Sequence, residues 1–199
     1  MNTTKHASLV RTARKIHRVL AASLFILFLL LPTTGIMLGW KKNSGDLLLP
    51  RSYKGATPNT DYWLSFDSLK TVALKTLSDS IGAEISTELE RIDARPSQGM
   101  VKFVFRDHYW EVQLDASTAK VLTVSKRRSD IIENIHDGSI LDHLFKTRDG
   151  FFKVVYTSII GLTLLTLSLT GFCLWYVPKI IRKKRRESPK NPVRESSEL

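Results

Sequence analysis

Histidine is the residue type in this 199-residue chain that is best suited to chemistry. A neutral imidazole binds transition metals and is a common axial ligand of haem iron. Cys173 is the single cysteine, which excludes an intrachain disulfide and any zinc site that needs several thiolates. We find no Ser-His-Asp or Cys-His order and no phosphate-binding loop, so we assign no catalytic residue. The five histidines are His6, His17, His108, His136 and His143.

Two long apolar segments must position these histidines. Residues 19–40 and 154–178 contain no Asp, Glu, Lys, Arg or His. Each segment is long enough to cross the hydrocarbon core of a lipid bilayer, which takes about 20 apolar residues. We therefore predict two transmembrane helices over these ranges, with His17 at the edge of the first and His136 ahead of the second.

Positive charge is concentrated at the two ends of the chain. Residues 1–18 hold five basic and no acidic side chains, and residues 179–199 hold eight basic and three acidic ones, so the ends carry +10 of the net +11. Basic residues that flank apolar spans mark the cytoplasmic side of a membrane. A nucleic-acid-binding protein instead spreads such residues over a folded face, so nucleic acid is not an expected partner.

This charge pattern predicts a multi-pass protein of the bacterial inner membrane with both termini in the cytoplasm. Residues 41–153 then form a periplasmic region. A cleaved signal peptide within residues 1–40 is the alternative, but such a peptide has an apolar core of about 7–15 residues and an A-x-A-like cleavage site. The apolar run here has 22 residues and ends at Gly39-Trp40-Lys41-Lys42. We therefore favour an uncleaved helix.

Three stretches are predicted to lack regular structure. Residues 41–60 are rich in Lys, Gly, Pro and Asn, which is typical of a linker. Pro178 is expected to end the second transmembrane helix, and the basic tail 179–199 has little to bury, so we expect it to be disordered. His6, close to the N-terminus, is also expected to be disordered.

The region from about residue 60 to 126 is predicted to form a small α+β domain. Ser65 can cap a helix that runs to residue 78. Strand-like segments and turn residues then alternate, which predicts a three- or four-stranded antiparallel meander. Large aromatic side chains most simply form its core. The predicted strands are 87–94, 100–105, 109–114 and 121–124, and the aromatic residues are Trp63, Phe103, Phe105 and Trp110.

The stretch from Trp110 to Leu122 reads W-x-V-x-L-D-x-x-T-x-K-V-L and resembles part of a PepSY domain, with Ala119 where that family usually has Gly. Segments on both sides are similar to the PepSY-associated transmembrane-helix family. These segments are Arg14-Lys15-Ile16-His17-Arg18, Ile135-His136-Asp137-Gly138 and Leu169-Thr170-Gly171-Phe172-Cys173-Leu174-Trp175-Tyr176. The resemblance covers about residues 14–178.

Together, the apolar segments, the charge pattern and the resemblance predict a membrane α-helical fold with two transmembrane helices, N-in and C-in, and an inserted PepSY-like extracytoplasmic α+β domain. It also implies a link to iron or siderophore handling, because some family members are reductases that carry b-type haem. Larger relatives have four or more spans. We therefore expect a component of a ferric-siderophore reductase here rather than a complete reductase.

Haem b would be held by His17 and His136 as iron ligands. The 22 residues of the first span rise about 1.5 Å each and separate the two levels by about 33 Å, so one iron cannot take both. We expect two haems, one near each membrane face, which would pass electrons across the membrane. Each haem lacks an obvious second ligand within the chain. A homodimer would supply it and would form a four-helix bundle.

The sequence also contains other candidate ligands of the haem iron and candidate residues that orient them. His143 is a rival partner for His136, because it lies at i+7 if the helix continues through Gly138. Asp137 and Asp142 are candidate hydrogen-bond acceptors that orient a histidine. His108 is expected to be a turn residue between two strands. Residues 130, 133 and 137 are acidic and are expected to form a solvated helix face.

The sequence is also compatible with two other functions. The chain is alternatively a membrane-anchored PepSY module that regulates a peptidase or binds another envelope protein without redox chemistry. A third reading is an accessory subunit of an iron-uptake complex. The histidine placement favours electron transfer, whereas the short length and the lack of histidines within the spans favour the other two readings.

Overall fold

The chain forms two compact units in this computed structural model, which describes residues 3–147 and 149–187. One unit comprises the described residues up to Leu29 and from Val154 onward, and the other comprises Leu30–Lys153. The first unit is helical, and the second combines helices with one antiparallel sheet. Apolar helices and a small α+β domain are therefore both present, as expected.

The first apolar segment is divided between two helices. Helix α1 covers Thr3–Ser23, α2 covers Phe25–Gly39, and the axis bends by 68° between them. The expected helix over 19–40 is therefore broken at its inner part, and its first residues belong to α1. The Ser23 hydroxyl donates to the Val19 carbonyl at 2.7 Å, a bond of the kind that competes with the helix ladder and bends helices.

Helix α6 covers Phe151–Glu187 and extends beyond the predicted end of the second span. Pro178 lies inside it, so the prediction that this proline ends the helix is wrong; apolar helices tolerate proline where neighbouring groups satisfy the freed carbonyl. The predicted disorder of the basic tail is wrong for residues 179–187, because Lys and Arg form helices well and suit a helix C-terminus. Residues 188–199 lie outside the described part of the chain.

The described residues contain one helix that is long and apolar enough to cross a membrane. This candidate is Phe151–Lys183. Its most apolar 18-residue stretch has a mean hydropathy of 1.8, and 11% of that stretch is buried within the protein. The bent pair α1 and α2 provides a second candidate if both helices count as one broken span. The coarse prediction of a membrane protein is thereby supported.

The sheet of the second unit is a four-stranded antiparallel meander in chain order, as predicted. Helix α3, Phe66–Ile81, packs on one face, and Ser65 caps it by accepting the Ser68 amide hydrogen at 3.2 Å. Phe103 and Phe105 are buried in this core, as predicted. Both predicted core tryptophans pack against it and are partly buried. The strands are β1 Leu89–Arg95, β2 Met100–Phe105, β3 Trp110–Asp115 and β4 Val121–Lys126.

The opposite face of the sheet is covered as well, although its residues are polar. Lys102, Glu111 and Gln113 are almost completely buried there. The preceding chain covers them: the Tyr53 amide donates to Gln113 Oε1 at 3.1 Å, and Gln113 Nε2 donates to the Arg51 carbonyl at 2.7 Å. The stretch that we predicted to be a linker is therefore packed onto the domain in this part.

Asp115 joins this covering segment to the turn that follows β3. Its Oδ2 accepts the Ala56 amide hydrogen at 2.7 Å, and its Oδ1 accepts those of Ser117 and Thr118. Burial alone would raise the pKa of Asp115, but these hydrogen bonds lower it overall. The turn ends at Ala119, whose φ of +56° is left-handed and favours glycine.

Replacing Ala119 by Gly should stabilise the domain. The left-handed conformation penalises a Cβ, so we expect Ala119→Gly to raise the free energy of unfolding by about 0.5–1 kcal/mol, less a small entropic cost of the added glycine. Thermal unfolding of the full chain in detergent, followed by tryptophan fluorescence, measures this change. Ala94→Gly on the exposed part of β1 is the matched control and should destabilise the domain. A loss of stability in Ala119→Gly would contradict the assigned turn.

Candidate functional site

His17 lies on α1 and meets α6 within the first unit. Its Nδ1 lies 2.9 Å from Thr170 Oγ1. The ring edge lies against Gly171, where an added Cβ would be 3.6 Å from His17 Cε1. The ring is half-buried. The imidazole of His17 thus packs against Thr170 and Gly171 of α6.

His136 has the same kind of environment within the second unit. It is the last residue of α4, Arg128–His136, and its Nδ1 lies 2.8 Å from Thr34 Oγ1 on α2. Its ring edge lies against Gly35, where an added Cβ would be 3.5 Å from His136 Cε1. This ring is half-buried too. A Thr-Gly pair therefore receives each of the two predicted ligand histidines.

The threonine hydroxyls determine which nitrogen of each imidazole carries the proton. Thr34 Oγ1 donates to the carbonyls of Leu30 and Leu31, at 2.8 and 3.0 Å. A hydroxyl has one proton, and with that proton on a backbone carbonyl the oxygen accepts from the imidazole, which assigns the hydrogen of His136 to Nδ1. In a neutral ring the lone pair then lies on Nε2.

The same reasoning applies to His17. Thr170 Oγ1 donates to the carbonyls of Thr166 and Leu167, at 2.8 and 3.1 Å. The Nδ1 of His17 therefore carries the hydrogen as well. Among the described residues, neither His17 nor His136 has a hydrogen bond at Nε2. In the neutral form with hydrogen on Nδ1, each ring thus has its lone pair on Nε2.

Helix α4 holds His136 in place because it is tied to the sheet near its start. Arg127 Nη1 lies 2.7 Å from Glu111 Oε2 on β3, and Arg127 Nε lies 2.8 Å from Asp130 Oδ2. Asp130 also pairs with Arg91 on β1 at 3.1 Å. Near the end of α4, the Asn134 side chain donates to the Tyr109 hydroxyl at 2.9 Å.

Of the predicted solvated face at residues 130, 133 and 137, Glu133 is exposed as expected, whereas the prediction is wrong for Asp130. Asp130 is largely buried and paired rather than solvated, because Arg127, at the start of α4, and Arg91 on β1 both contact its carboxylate. Burial alone would raise the pKa of Asp130, but the hydrogen bond and charge of Arg127 lower it overall. Burial lowers the pKa of Lys102, which lies 3.6 Å from Glu111, although Glu111 opposes that shift.

Removal of Arg127 should destabilise the second unit strongly. Arg127→Met would leave Glu111 buried with a weaker partner, so we expect a loss of about 3–5 kcal/mol in the free energy of unfolding. Denaturant unfolding of the full chain in detergent measures this loss. The control is Arg106→Met, which removes an exposed pair with Glu88 and Glu90 and should cost at most about 1 kcal/mol. Equal losses in both variants would contradict the importance of the network.

Acid should destabilise the second unit through Asp130. Because the pKa of Asp130 is lower in the folded than in the unfolded chain, its contribution is complete above the unfolded value near 4 and is lost as the pH falls through the folded value. Asp130→Asn should lower the melting temperature at pH 7 and flatten its decline between about pH 5 and 2. Asp79→Asn, an exposed change on α3, should leave the profile unchanged. An unchanged profile in Asp130→Asn would refute this source of acid lability.

The remaining histidines differ from this arrangement. Helix α4 ends at His136, and Gly138 has a φ of +80°, so His143 on α5, Ser139–Phe145, does not share a helix with His136. The exposed His143 ring packs edge-on against Tyr109, with centroids 6.3 Å apart. His6 lies buried on α1, so its expected disorder is wrong. The turn position of His108 is confirmed.

The two acidic residues proposed to orient a histidine bind the start of α6 instead. Asp142 accepts the amide hydrogens of Phe152 and Lys153, at 2.9 and 2.8 Å, and so caps the helix. Asp137 pairs with the Lys153 ammonium at 2.6 Å. Within the described ranges, neither carboxylate accepts a hydrogen bond from a histidine. The hydroxyls of Thr170 and Thr34, rather than carboxylates, contact the Nδ1 atoms of His17 and His136.

Sequence reasoning missed Thr34 as a partner of His136. The available signal was the dipeptide Thr-Gly, which occurs twice in the chain, at Thr34-Gly35 and Thr170-Gly171. The dipeptide Ile-His also occurs twice, at Ile16-His17 and Ile135-His136. Spacing alone could not pair them, because 153 residues separate His17 from Thr170.

A haem and a bare metal ion would need different numbers of protein ligands at these sites. No group of three or more His, Cys, Asp or Glu side chains that could hold a metal ion occurs in the ranges 3–147 and 149–187. Haem requires only one or two protein ligands, because its porphyrin supplies four. A single oriented imidazole with a free Nε2 fits that requirement.

Comparison with protein-family models, curated proteins and solved structures finds no match to this chain. The resemblance to the PepSY and PepSY-associated transmembrane-helix families therefore stays a prediction that depends on the motifs quoted above.

Proposed function

We propose that this protein binds haem b through His17 and His136 and transfers electrons across a bacterial inner membrane, in support of iron or siderophore reduction. One observation carries the proposal: both histidines are held through Nδ1 by a threonine hydroxyl, which leaves Nε2 available. Ligand histidines in metalloproteins are typically oriented in this way by a hydrogen bond at the other ring nitrogen.

The residues of this chain would orient the ligands. Bound haem would supply one-electron redox chemistry. Thr34 and Thr170 would fix the ring planes. The glycine beside each threonine has no side chain, so the ring can lie close to the helix backbone. Axial imidazole ligation and the hydrogen bond on its far nitrogen both tune the reduction potential of haem iron.

The charge pattern supplies the membrane orientation in this proposal. Both basic termini would face the cytoplasm, and the α+β domain would face the periplasm. Each site offers one imidazole from one chain, so a second copy of the chain would complete a pair of axial ligands. A homodimer of this kind would carry the haems within its helices.

Haem binding by the purified full chain tests the proposal directly. Titration with haemin in detergent should give a Soret band that shifts on binding, with about one haem per chain if two copies share each haem. His17→Ala and His136→Ala should each remove about half of the bound haem, and the double variant should remove nearly all of it. The measurement is the absorbance spectrum before and after dithionite reduction.

Two further variants serve as controls for this titration. His108→Ala should leave haem binding unchanged, because both ring nitrogens of His108 already have partners, at the Ser86 carbonyl and the Trp110 amide. His143→Ala should also have little effect, because its ring packs on Tyr109. Absence of a Soret shift, or a shift that survives loss of both His17 and His136, would refute the proposal.

The second candidate function is a membrane-anchored binding or regulatory module. A cavity of about 270 Å³ on the α+β domain favours it, lined in part by Arg51, Lys126 and Arg128. Ser125 Oγ, also in the lining, is buried without a hydrogen-bond partner among the described residues. This candidate replaces the first if the chain binds no haem and a defined envelope protein co-purifies with it, and if Arg51→Glu with Arg128→Glu abolishes that association.

A further inference from the structure

The two histidine sites are built from a repeated pair of sequence elements. Each ligand histidine follows an isoleucine, and each receiving threonine precedes a glycine, two apolar residues and a leucine. The threonine-containing copies are Thr34-Gly35-Ile36-Met37-Leu38 and Thr170-Gly171-Phe172-Cys173-Leu174. The chain therefore contains each element twice.

The pairing between these elements is reciprocal. His17 precedes the first apolar segment in the sequence but contacts the Thr-Gly pair of α6, the second segment. His136 precedes α6 but contacts the Thr-Gly pair of α2. Each half of the chain thus supplies a histidine to one site and a threonine to the other.

The local geometry of the two sites agrees closely. The Nδ1 to Oγ1 distances are 2.9 and 2.8 Å, and the virtual Cβ positions on the two glycines lie 3.6 and 3.5 Å from the ring carbon Cε1. In both sites the threonine hydroxyl donates to carbonyls three and four residues back. Two independent contacts with matching donors, acceptors and neighbours indicate one design used twice.

Helical hydroxyls that bond their own backbone are common in apolar helices, so that feature alone would carry little weight. Thr163 and Thr166 on α6 donate to carbonyls four residues back, yet neither bonds a histidine in the part of the chain that the structure describes. The two threonines that precede glycine are the ones that receive a histidine. These two threonines differ from the others in having a glycine directly after the hydroxyl-bearing residue, which leaves room for an imidazole ring beside the helix.

We infer that Thr34 and Thr170 are equivalent positioning residues of an internal repeat, each of which holds its histidine as the Nδ1–H tautomer so that both sites present Nε2 to the same class of ligand, a haem iron. The identity of that ligand rests on the proposed function. The tautomers and their dependence on threonine do not, because they are properties of the protein without a cofactor.

Nitrogen-15 spectra of histidine-labelled full-length protein in detergent test the inference. At about pH 8.5, where histidine is largely neutral, the spectra distinguish a protonated from an unprotonated ring nitrogen. His17 and His136 should show hydrogen on Nδ1. His108 is an internal control, because its Nε2 lies 2.8 Å from the Ser86 carbonyl and must donate, which gives the opposite tautomer.

Substitutions of the threonines should change one histidine at a time. Thr170→Val should shift His17 towards a mixture of tautomers and leave His136 unchanged, and Thr34→Val should do the reverse. Thr170→Ser and Thr34→Ser should retain the wild-type signals, because the hydroxyl is kept. Thr163→Val, which removes a buried hydroxyl of α6 that bonds only its own helix among the described contacts, should leave both histidines unchanged.

Hydrogen on Nε2 of His17 or His136 in the wild-type protein would overturn the inference, as would valine variants with unchanged signals. The wild-type tautomer is informative even if a valine variant fails to fold, and the serine variants keep the positioning role testable. If haem binds, each valine variant should weaken affinity at its own site by about 10–100-fold. Wild-type protein with Nδ1–H tautomers but without haem binding would uphold this inference and refute the proposed function.

Discussion

The hydrogen bond between an imidazole Nδ1 and a threonine hydroxyl is the contact on which the candidate chemistry depends. In each unit the hydroxyl also lies within hydrogen-bond distance of backbone carbonyls, and with its proton on a carbonyl it accepts from the imidazole. An imidazole that merely lay at a membrane edge would be free to rotate and to exchange its proton between the two nitrogens. A hydrogen bond from Nδ1 to the hydroxyl limits the rotation of the ring and keeps the proton on Nδ1. The lone pair that a metal ligand requires is then on Nε2.

The second unit supports this contact through a buried charge network. Glu111 on the sheet forms a salt bridge with Arg127 at the start of α4. The helix that ends at His136 is therefore attached to a rigid scaffold. Burial of such charges is costly in itself, and their pairing adds little net stability compared with a well-packed apolar core. Their value here is geometric, because one arrangement satisfies every charge and thereby fixes the path of α4.

The apolar helices leave most of their surface exposed within a single chain. Side chains such as Leu162, Leu165 and Leu169 of α6 are 59–67% exposed. A surface of this kind suits lipid or a second copy of the chain. A second copy would also provide the partner ligand that each oriented imidazole lacks, so the exposed helix surface and the single ligands have a common explanation in the proposed homodimer.

The sequence by itself determined the apolar segments, the Ser65 cap, the four strands and their order, because these depend on local periodicity and on turn residues. It also singled out His17 and His136, from their positions beside the apolar segments. It did not reveal the break before Phe25 or the helical continuation through Pro178, because competing hydrogen bonds decide such features. Only the tertiary structure paired the histidines with Thr34 and Thr170 and buried Lys102 and Glu111. Those outcomes depend on which distant segments pack together, and a pattern read along one chain carries no information about contacts across 102 or 153 residues.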